Sequence, residues 1–288
     1  MKLFVFSRKG GNQGSAHLVD EIVTRFVSES RGYGHEVVSC GDTADLGQHS
    51  FNAFSFGIVF GGDGTMVSVC RDIAGQIPIL GINLGNLGFI TDIPASTATS
   101  DILEILEKSQ YDTEHRTLLS CELHHKYPHT QELHNHIGRA FNDVVISRNT
   151  GKSLEFSVEI NGNFAYKCRG DGVITSTPTG STAYAMSAGG SIIDPASEVF
   201  EIIPMFPQTL SCRPLIVSDE VTIKITLDHG SADIFYDGIL LHGDMRPDDW
   251  VCIKKFPKKT KLIHPKNYDF FNTLREKLGW QQVLGTPR

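Results

Sequence analysis

The segment Phe56-Gly57-Ile58-Val59-Phe60-Gly61-Gly62-Asp63-Gly64-Thr65 indicates how the N-terminal part of this chain folds. Its apolar first half predicts a buried strand, and residues 66–74 after it predict a helix. Three glycines therefore surround one carboxylate at a strand-to-helix turn. Glycine lets a ligand approach the backbone closely, and the first N–H groups of a helix suit phosphate. The turn is either a phosphate site in which Asp63 handles a proton or a metal ion, or a tight turn with a solvated Asp63.

Strands and helices alternate on both sides of this turn. Apolar runs predict strands at residues 3–6, 35–39 and 78–82, and amphipathic patterns predict helices at residues 15–26 and 97–108. This alternation predicts a mostly parallel sheet with helices on both faces. A second glycine-rich loop, residues 83–89, follows the strand at 78–82. Since ligands bind beyond the carboxyl ends of parallel strands, both loops are expected at one edge of the sheet.

The pattern changes near residue 115, after which strand-like runs dominate. They lie at residues 118–123, 140–147, 154–160, 164–168, 173–175, 220–226, 233–236 and 251–254. Asn161-Gly162 is a hairpin turn signal, so this part is predicted to be an antiparallel all-β domain. We expect an α/β domain over residues 1–112 and a β-rich domain over 113–265, with the active site between them. The tail, 266–288, contains an amphipathic helix at 269–280 and is expected to pack back on the first domain.

Bulk composition narrows the class of protein. The chain has 288 residues and a formal charge of −7, which argues against a general nucleic-acid-binding protein. No apolar run approaches the ~20 residues of a membrane span, and the N-terminal apolar run is too short for a signal peptide. Six cysteines without C-x-x-C spacing favour buried free thiols over disulfides or zinc ligands. A cytoplasmic protein is therefore expected.

Residues 168–190, CRGDGVITSTPTGSTAYAMSAGG, are rich in hydroxyls, small side chains and glycines. Gly180-Ser181 is predicted to open a helix whose free N–H groups face a ligand. Tyr184 can stack on a base, and Asp171 can accept hydrogen bonds from a ribose or an amide. A purely structural loop hardly needs so many donors, so a ligand site is favoured here.

Asn142 and Asp143 interrupt the apolar run over residues 141–146. Polar groups inside a strand are costly unless they bind something. An Asn amide both donates and accepts, which suits the edge of an adenine. The alternative is an amide that is satisfied by a hydrogen bond at a strand end, and the sequence leaves both interpretations open.

Two further patterns are weaker. Five histidines suggest a metal site, but the Lys, Pro and Glu among them indicate a polar hairpin tip instead, and we assign no side chain as a metal ligand. They are His124, His125, His129, His134 and His136. Gly151-Lys152-Ser153 imitates the end of a Walker A motif, but Ile146 stands where that motif requires glycine.

Taken together, these segments resemble the NAD kinase family in its bacterial form. Residues 61–65 are similar to its GGDG motif, residues 81–89 to its second loop, and Asn142-Asp143 to its Asn followed by an acidic residue. Residues 177–184 are similar to its glycine- and threonine-rich signature, and residues 210–215 and 270–280 fit as well. GGDG alone also occurs in lipid kinases and, more loosely, in phosphofructokinases. The ordered set spans nearly the whole chain and is specific.

The resemblance implies transfer of the γ-phosphoryl group of ATP to the 2′-hydroxyl of the adenosine ribose of NAD, which gives NADP. Asp63 is implied as the general base, and the β-rich domain as the NAD-binding domain. The binding positions that the resemblance implies are Gly61, Gly62, Asp63, Gly64, Phe89, Asn142, Asp143, Lys152, Arg169, Asp171, Thr182, Ala183, Tyr184, Ala185, Met186 and Ser187.

The resemblance also implies Mg²⁺ as a divalent cofactor, ATP and NAD as small-molecule substrates, and a homodimer or homotetramer without nucleic acid or membrane partners. One departure is Ile239, because many relatives have Gln after the late Asp-Gly or Asp-Ser turn. Two other functions compete. A GGDG-type lipid kinase for diacylglycerol or sphingoid bases should present an apolar or membrane-facing patch, and no amphipathic membrane helix is found. A non-catalytic NAD-binding regulator does not require the base that Asp63 provides.

Overall fold

The structure is a computed structural model that describes residues 1–7, 13–41, 46, 50–85, 88–126, 136–266 and 268–280, with the backbone alone at 13–18 and 136. The chain forms two compact units. Unit 1 contains Met1–His115 and Thr260–Arg288, and unit 2 contains Arg116–Lys259.

Unit 1 is built on a mostly parallel sheet with helices. Its elements are β1 (Lys2–Ser7), α1 (Gln13–Gly32), β2 (Glu36–Cys40), β3 (Phe56–Phe60), α2 (Asp63–Ile73), β4 (Ile79–Asn83), β5 (Ile93–Pro94), α3 (Ala98–Lys108), β6 (Tyr111–Arg116), β19 (Thr260–Pro265) and α5 (Phe270–Leu278). The strand order is β2-β1-β3-β4-β19-β6, and β5 pairs with β4. The pairs β1–β2, β1–β3, β3–β4, β4–β5 and β4–β19 are parallel.

The central strands of unit 1 are apolar because both faces of the sheet are covered. β4 is buried along its whole length, and its apolar run is typical of a parallel sheet flanked by helices. Phe26 of α1 packs against Phe60 of β3 at the centre of this core. At the C-terminal end, the Asp269 side chain accepts a hydrogen bond from the backbone N of Phe271 and so caps α5.

Unit 2 consists almost entirely of antiparallel strands. Its elements are β7 (Leu119–His124), β8 (His136–Ala140), β9 (Asp143–Arg148), β10 (Leu154–Ile160), β11 (Asn163–Gly170), β12 (Gly172–Ser176), α4 (Tyr184–Ser187), β13 (Val199–Met205), β14 (Leu215–Ser218), β15 (Ile223–His229), β16 (Ala232–Tyr236), β17 (Ile239–Met245) and β18 (Trp250–Lys255). One sheet has the order β11-β10-β15-β18-β7-β8, and the other has the order β14-β13-β12-β9-β16-β17.

The two sheets of unit 2 share one apolar core. Alternate residues of β10 are buried, as its period-two pattern predicted. Phe156 of β10 and Phe200 of β13 belong to the same buried cluster, so side chains from both sheets fill it. Asn161 and Gly162 adopt φ values of 50° and 76° between β10 and β11, which confirms the predicted hairpin.

The fold class predicted from the sequence is confirmed, an α/β unit and an antiparallel all-β unit. The prediction did not include β5, β6, β13, β14, β17 or β19, and of β8 it covered only Ala140. Since β19 pairs with β4, the structure assigns residues 260–265 to unit 1, whereas the sequence-based boundary put them in the β-rich domain. All six cysteines are free thiols, as expected, but Cys212 and Cys252 are only partly buried. Among the described residues, none of the helices has the length and apolar character of a membrane span.

The single strand predicted over residues 140–147 is wrong. β8 ends at Ala140 in one sheet of unit 2, and β9 begins at Asp143 in the other. The chain therefore crosses between the sheets at Phe141-Asn142. Strand pairing stops there because a side chain from a distant turn accepts the hydrogen bonds of these backbone N–H groups, as described below.

Candidate active site

The glycine-rich turn joins β3 to α2, and its free backbone donors are grouped at the start of the helix. Gly62 is the residue before α2, which begins at Asp63 and runs for 11 residues. The backbone N–H groups of Gly62, Asp63 and Gly64 have no acceptor within the described part of the chain. Three such donors and the positive end of the helix dipole suit a phosphate group.

Glycine occupies the three positions of the turn for different structural reasons. A Cβ on Gly61 would stand 2.7 Å from the Cβ of Thr65, so packing requires glycine there. At Gly62 and Gly64 nothing stands within 4 Å of where a Cβ would be. Packing therefore does not explain these two glycines, and they leave the backbone open to a ligand.

Asp63 connects this turn to the second glycine-rich loop. Its Oδ2 accepts a hydrogen bond from the backbone N of Phe89 at 2.8 Å. Its Oδ1 accepts from the backbone N of Ile90 at 3.2 Å and from Thr91 Oγ1 at 3.0 Å. Gly88 must be glycine, because a Cβ there would overlap the Asp63 carboxylate. Both loops thus lie at one edge of the sheet, as predicted. Asp63 is half-buried and is not the solvated Asp of a simple turn.

The second loop is in turn anchored to the end of β4. The buried Asn83 side chain donates from Nδ2 to Thr91 O at 3.2 Å and to Thr91 Oγ1 at 3.1 Å. Its Oδ1 accepts from the backbone N of Gly85 at 2.7 Å. Thr91 is therefore held by Asn83 on one side while it donates to Asp63 on the other. Asn86 and Leu87 lie outside the described residues.

Phe89 presents its half-buried ring beside the C-terminal helix. Lys277 of α5 lies with Nζ 5.3 Å from the centroid of that ring, within the range of a cation–π contact. This contact belongs to unit 1 and holds α5 against the second loop. Packing of Phe89 on an adenine stays a prediction.

In unit 2, Asn142 and Asp143 lie where the chain crosses between the two sheets. The Asn142 amide is partly exposed and makes no hydrogen bond with the described residues, which therefore give no support to the satisfied-amide interpretation. Asp143 is 5% exposed. Burial, and then the nearby charge of Asp237, raises the pKa of Asp143 to about 7.

The predicted helix at Gly180-Ser181 with ligand-facing N–H groups is wrong. Thr179–Thr182 forms a short 3-10 turn, and α4 after it has four residues. The backbone N of Gly180 donates to Thr177 Oγ1 at 3.1 Å, and that of Ser181 donates to Thr177 O at 3.1 Å. These N–H groups are therefore not available to a ligand, because they donate hydrogen bonds to the hydroxyl and the carbonyl of Thr177 within the loop.

Sequence comparison decides the family. A profile of the ATP-NAD kinase N-terminal domain matches residues 9–111, and a profile of the ATP-NAD kinase C-terminal domain matches residues 141–265. The chain belongs to the ATP-NAD kinase family. It is a kinase that transfers phosphate from ATP to NAD, and the lipid-kinase and regulator alternatives find no support.

Individual relatives agree with this family. An NAD kinase from Tolumonas auensis is 38% identical over 253 residues, which are 85% of this chain and 82% of the relative. One from Erwinia tasmaniensis is 40% identical over 255 residues, 86% of this chain and 83% of the relative. In fold, the chain is similar to yeast NADH kinase complexed with NADH, with a TM-score of 0.83, 21% identity and coverage of 100% and 90% of the two chains. An NAD kinase from Archaeoglobus fulgidus in complex with ATP gives a TM-score of 0.70, 23% identity and coverage of 97% and 98%.

The residues that resemblance to the NAD kinase family implied in unit 2 fall into two groups. Asn142 and Asp143 lie at the end of β12 from which the loop with Thr182, Ala183, Tyr184, Ala185, Met186 and Ser187 emerges. Ala185 packs into the core, whereas Tyr184 is 47% exposed.

Lys152, Arg169 and Asp171 form the second group, near the other end of β12. That strand separates them from Thr177 by roughly 16 Å along the sheet. Asp171 pairs with Arg148 at 3.1 Å, Arg169 Nε donates to Ser153 Oγ at 3.0 Å, and Lys152 is exposed. A common ligand for the two groups stays a prediction.

The histidine-rich segment gives no evidence for metal in this NAD kinase. The His124 ring stacks on Trp250, and His125 pairs with Asp249 at 3.0 Å. His129, His134 and the His136 side chain lie outside the described residues. Within the described residues, no group of three or more potential ligand side chains is placed to hold a metal ion.

Sequence reasoning missed Thr91 and Asp237, whose side chains bond to candidate site residues. Thr91 belongs to no glycine motif, although its position just after a glycine loop was a usable signal. Asp237 lies in the Asp-Gly turn that precedes Ile239, and its role becomes visible only through its bonds to the backbone of residues 141–143, which are distant in sequence.

Proposed function

We propose that this kinase transfers the γ-phosphoryl group of ATP to the 2′-hydroxyl of the adenosine ribose of NAD, with Asp63 as the general base. The observation that carries the proposal is the geometry of Asp63. A carboxylate has about four lone-pair positions, and three hydrogen bonds from residues 89–91 occupy three of them. Oδ2 accepts only one of these bonds, so it keeps a lone pair for a hydroxyl proton.

The backbone around Asp63 supports the same chemistry. Phosphoryl transfer depends on positioning and charge stabilisation. The N–H groups of Gly62, Asp63 and Gly64 have no acceptor among the described residues and are suited to hold phosphate oxygens. Deprotonation of the ribose hydroxyl by Asp63 then accompanies attack on the γ-phosphorus.

We propose that a divalent ion, Mg²⁺, accompanies ATP. Mg²⁺ in such enzymes is commonly held by one or two carboxylates together with substrate phosphates and water. The last lone pair of Asp63 serves the hydroxyl proton, so phosphate oxygens of ATP and water molecules would supply the ligands of the ion. The ion would supply neutralisation of charge on the transferring phosphate.

In unit 2 we propose that Asn142 binds NAD through its amide, which has no partner among the described residues, and that Asp143 and the loop 182–187 contribute to the same binding. Lys152, Arg169 and Asp171 are proposed as further NAD contacts, and Phe89 as an adenine contact.

Free thiols at all six cysteines support a cytoplasmic location. Exposed Phe206, Leu210 and Ile216 support a homodimer or homotetramer, which light scattering on the purified protein tests.

The role of Asp63 as the general base is tested by comparing a substitution of Asp63 with one of Thr91, which donates a hydrogen bond to it. Incubation with NAD, ATP and Mg²⁺ should yield NADP from the wild type, whereas Asp63→Asn should lower turnover by about 10²-fold or more. NAD affinity should change by no more than a few-fold, because the NAD contacts that are proposed in unit 2 do not depend on the Asp63 carboxylate. Thr91→Val serves as the matched control, since it removes a bond to Asp63 without removing the carboxylate. Equal losses in both variants would show that Asp63 only anchors the loop.

A further inference from the structure

The backbone of Phe141, Asn142 and Asp143 is held on its N–H side by one distant carboxylate. Asp237 Oδ2 accepts from the backbone N of Phe141 at 2.8 Å. Asp237 Oδ1 accepts from the backbone N of Asn142 at 2.7 Å and from that of Asp143 at 3.3 Å. The backbone N of Asp237 also donates to Asp143 O at 3.0 Å. Hydrogen bonds to a carboxylate are stronger than those to a neutral acceptor, so this is a strong attachment.

The geometry of the β16–β17 turn presents the Asp237 carboxylate to these N–H groups. Asp237 and Gly238 have φ values of 46° and 76°, the left-handed region that a two-residue hairpin turn requires. β16 pairs with β9, which places the turn beside the start of β9. The left-handed region is accessible to Asp and Asn but strained for most other side chains.

The same segment is held on its carbonyl side by Thr177. Thr177 Oγ1 donates to Phe141 O at 2.7 Å, and the backbone N of Thr177 donates to Asn142 O at 2.9 Å. Gly180 packs directly against the Asn142 carbonyl, and any larger residue is excluded because its Cβ would overlap that oxygen. The peptide groups on both sides of the Asn142 Cα are therefore fixed, while its side-chain amide makes no hydrogen bond with the described residues.

A fixed backbone whose side-chain amide has no partner in the described part of the chain is pre-organised for a ligand, because binding then costs little ordering. We propose that Asp237 is a positioning residue for the kinase reaction, which holds the Asn142 amide in the orientation that NAD requires. This inference rests on the proposed contact between Asn142 and NAD. In this inference Asp237 acts through its hydrogen bonds to the backbone of residues 141–143.

The test uses a substitution that keeps the turn and removes the charge. Asp237→Asn tolerates the same positive φ, yet it offers a single acceptor oxygen and turns an NH₂ group towards backbone donors. Asp244→Asn is the matched control on the same hairpin, because Asp244 also has positive φ and its side chain bonds to Ser231 and Arg246. Asn142→Ala, measured in parallel, tests the contact on which the inference rests.

The expected result is a change in NAD binding alone. Asp237→Asn should raise the KM for NAD and the Kd for NAD in calorimetry by about tenfold or more, in line with the cost of a misplaced binding group. The KM for ATP should stay within about twofold of the wild type, and Asp244→Asn should change neither constant by more than about twofold. Equal rises in the KM values for NAD and ATP, or an unchanged KM for NAD, would overturn the positioning role.

A second pair of variants keeps the inference testable if Asp237→Asn does not fold. Thr177→Val removes the hydroxyl that donates to Phe141 O, and Thr177→Ser retains it. Thr177→Val should raise the KM for NAD, whereas Thr177→Ser should keep it near the wild-type value. Equal KM values for NAD in the two variants would contradict the inference. If Asn142→Ala leaves the NAD affinity unchanged, the proposed NAD contact itself fails. If Asn142→Ala weakens NAD binding but the Asp237 and Thr177 variants do not, Asn142 contacts NAD and the positioning role of Asp237 is refuted.

Discussion

Asp143 should make the stability of this protein fall between mildly acidic and neutral pH. Burial, followed by the charge of Asp237, raises the pKa of Asp143 to about 7 in the folded chain, against ~3.9 for an unfolded chain. Between these values the folded state binds more protons than the unfolded state. The contribution to stability is therefore complete below the unfolded pKa, is lost as pH rises, and stays constant above the folded pKa.

The size of this loss follows from the two pKa values. A difference of roughly 3 units at ~1.4 kcal/mol per unit gives up to ~4 kcal/mol at about pH 8, of which ~1.5 kcal/mol is already lost at about pH 5. Asp143→Asn removes the titration and keeps the shape, and its amide can donate to Asp237. The variant should exceed the wild type in free energy of unfolding by up to ~4 kcal/mol at about pH 8 and by ~1.5 kcal/mol at about pH 5.

Urea unfolding of both proteins across this pH range measures the effect. Trp250 lies in unit 2 with Asp143, and the other tryptophan, Trp280, lies outside it, so a Trp280→Phe background makes fluorescence report on unit 2. Asp248→Asn removes one negative charge from an exposed position of the same unit and controls for net charge. A gain that is the same at both pH values, or no gain at about pH 8, would refute the reasoning.

Two other predictions concern unit 1. Gly64→Ala should preserve stability or raise it by up to ~1 kcal/mol, since Ala favours a helix and no atom would contact its Cβ. The same change should raise the KM for ATP by about tenfold or more if phosphate approaches this backbone, and unchanged ATP kinetics would exclude that approach. Burial opposes protonation of His264, but Asp92 at 3.0 Å and Glu114 at 3.4 Å outweigh it and raise the pKa of His264. This stabilisation is complete below the unfolded pKa of ~6.5 and is lost as pH rises through the folded pKa. His264→Gln should therefore cost about 2 kcal/mol in urea unfolding at pH 6 and less at pH 9, and a pH-independent cost would contradict the ion pairs.

Local sequence signals were sufficient for the features that local chemistry determines. The glycine turn at 61–64 was predicted because an apolar run, a cluster of glycines and a helical pattern follow one another without interruption. Asn161-Gly162 was predicted as a hairpin because few residue pairs adopt its two left-handed conformations without strain. Both elements depend on φ preferences and periodicity within about ten residues.

The failures occur where distant residues compete for backbone groups. Residues 140–147 read as one apolar strand, and nothing within them shows that Asp237, about 95 positions away, accepts their N–H bonds. The helix expected at Gly180-Ser181 failed because Thr177 satisfies those donors locally, a choice that Ser and Thr often offer the backbone. A single sequence gives residue types but does not show which of several donors an acceptor will take.

Asp63 and Asp237 both hold a distant backbone segment through hydrogen bonds to their carboxylates, but they have different roles in the proposed reaction. Each accepts hydrogen bonds from the backbone of a loop that carries a proposed binding residue, Phe89 for Asp63 and Asn142 for Asp237. Asp63 also lies at the start of α2, whose first N–H groups have no acceptor in the described part of the chain and can hold phosphate, and its Oδ2 keeps a lone pair. The anchoring bonds orient that oxygen, so loop anchoring and proton acceptance at Asp63 are compatible. For this reason the comparison of Asp63→Asn with Thr91→Val, and not the loss of activity in Asp63→Asn alone, decides whether Asp63 is the base.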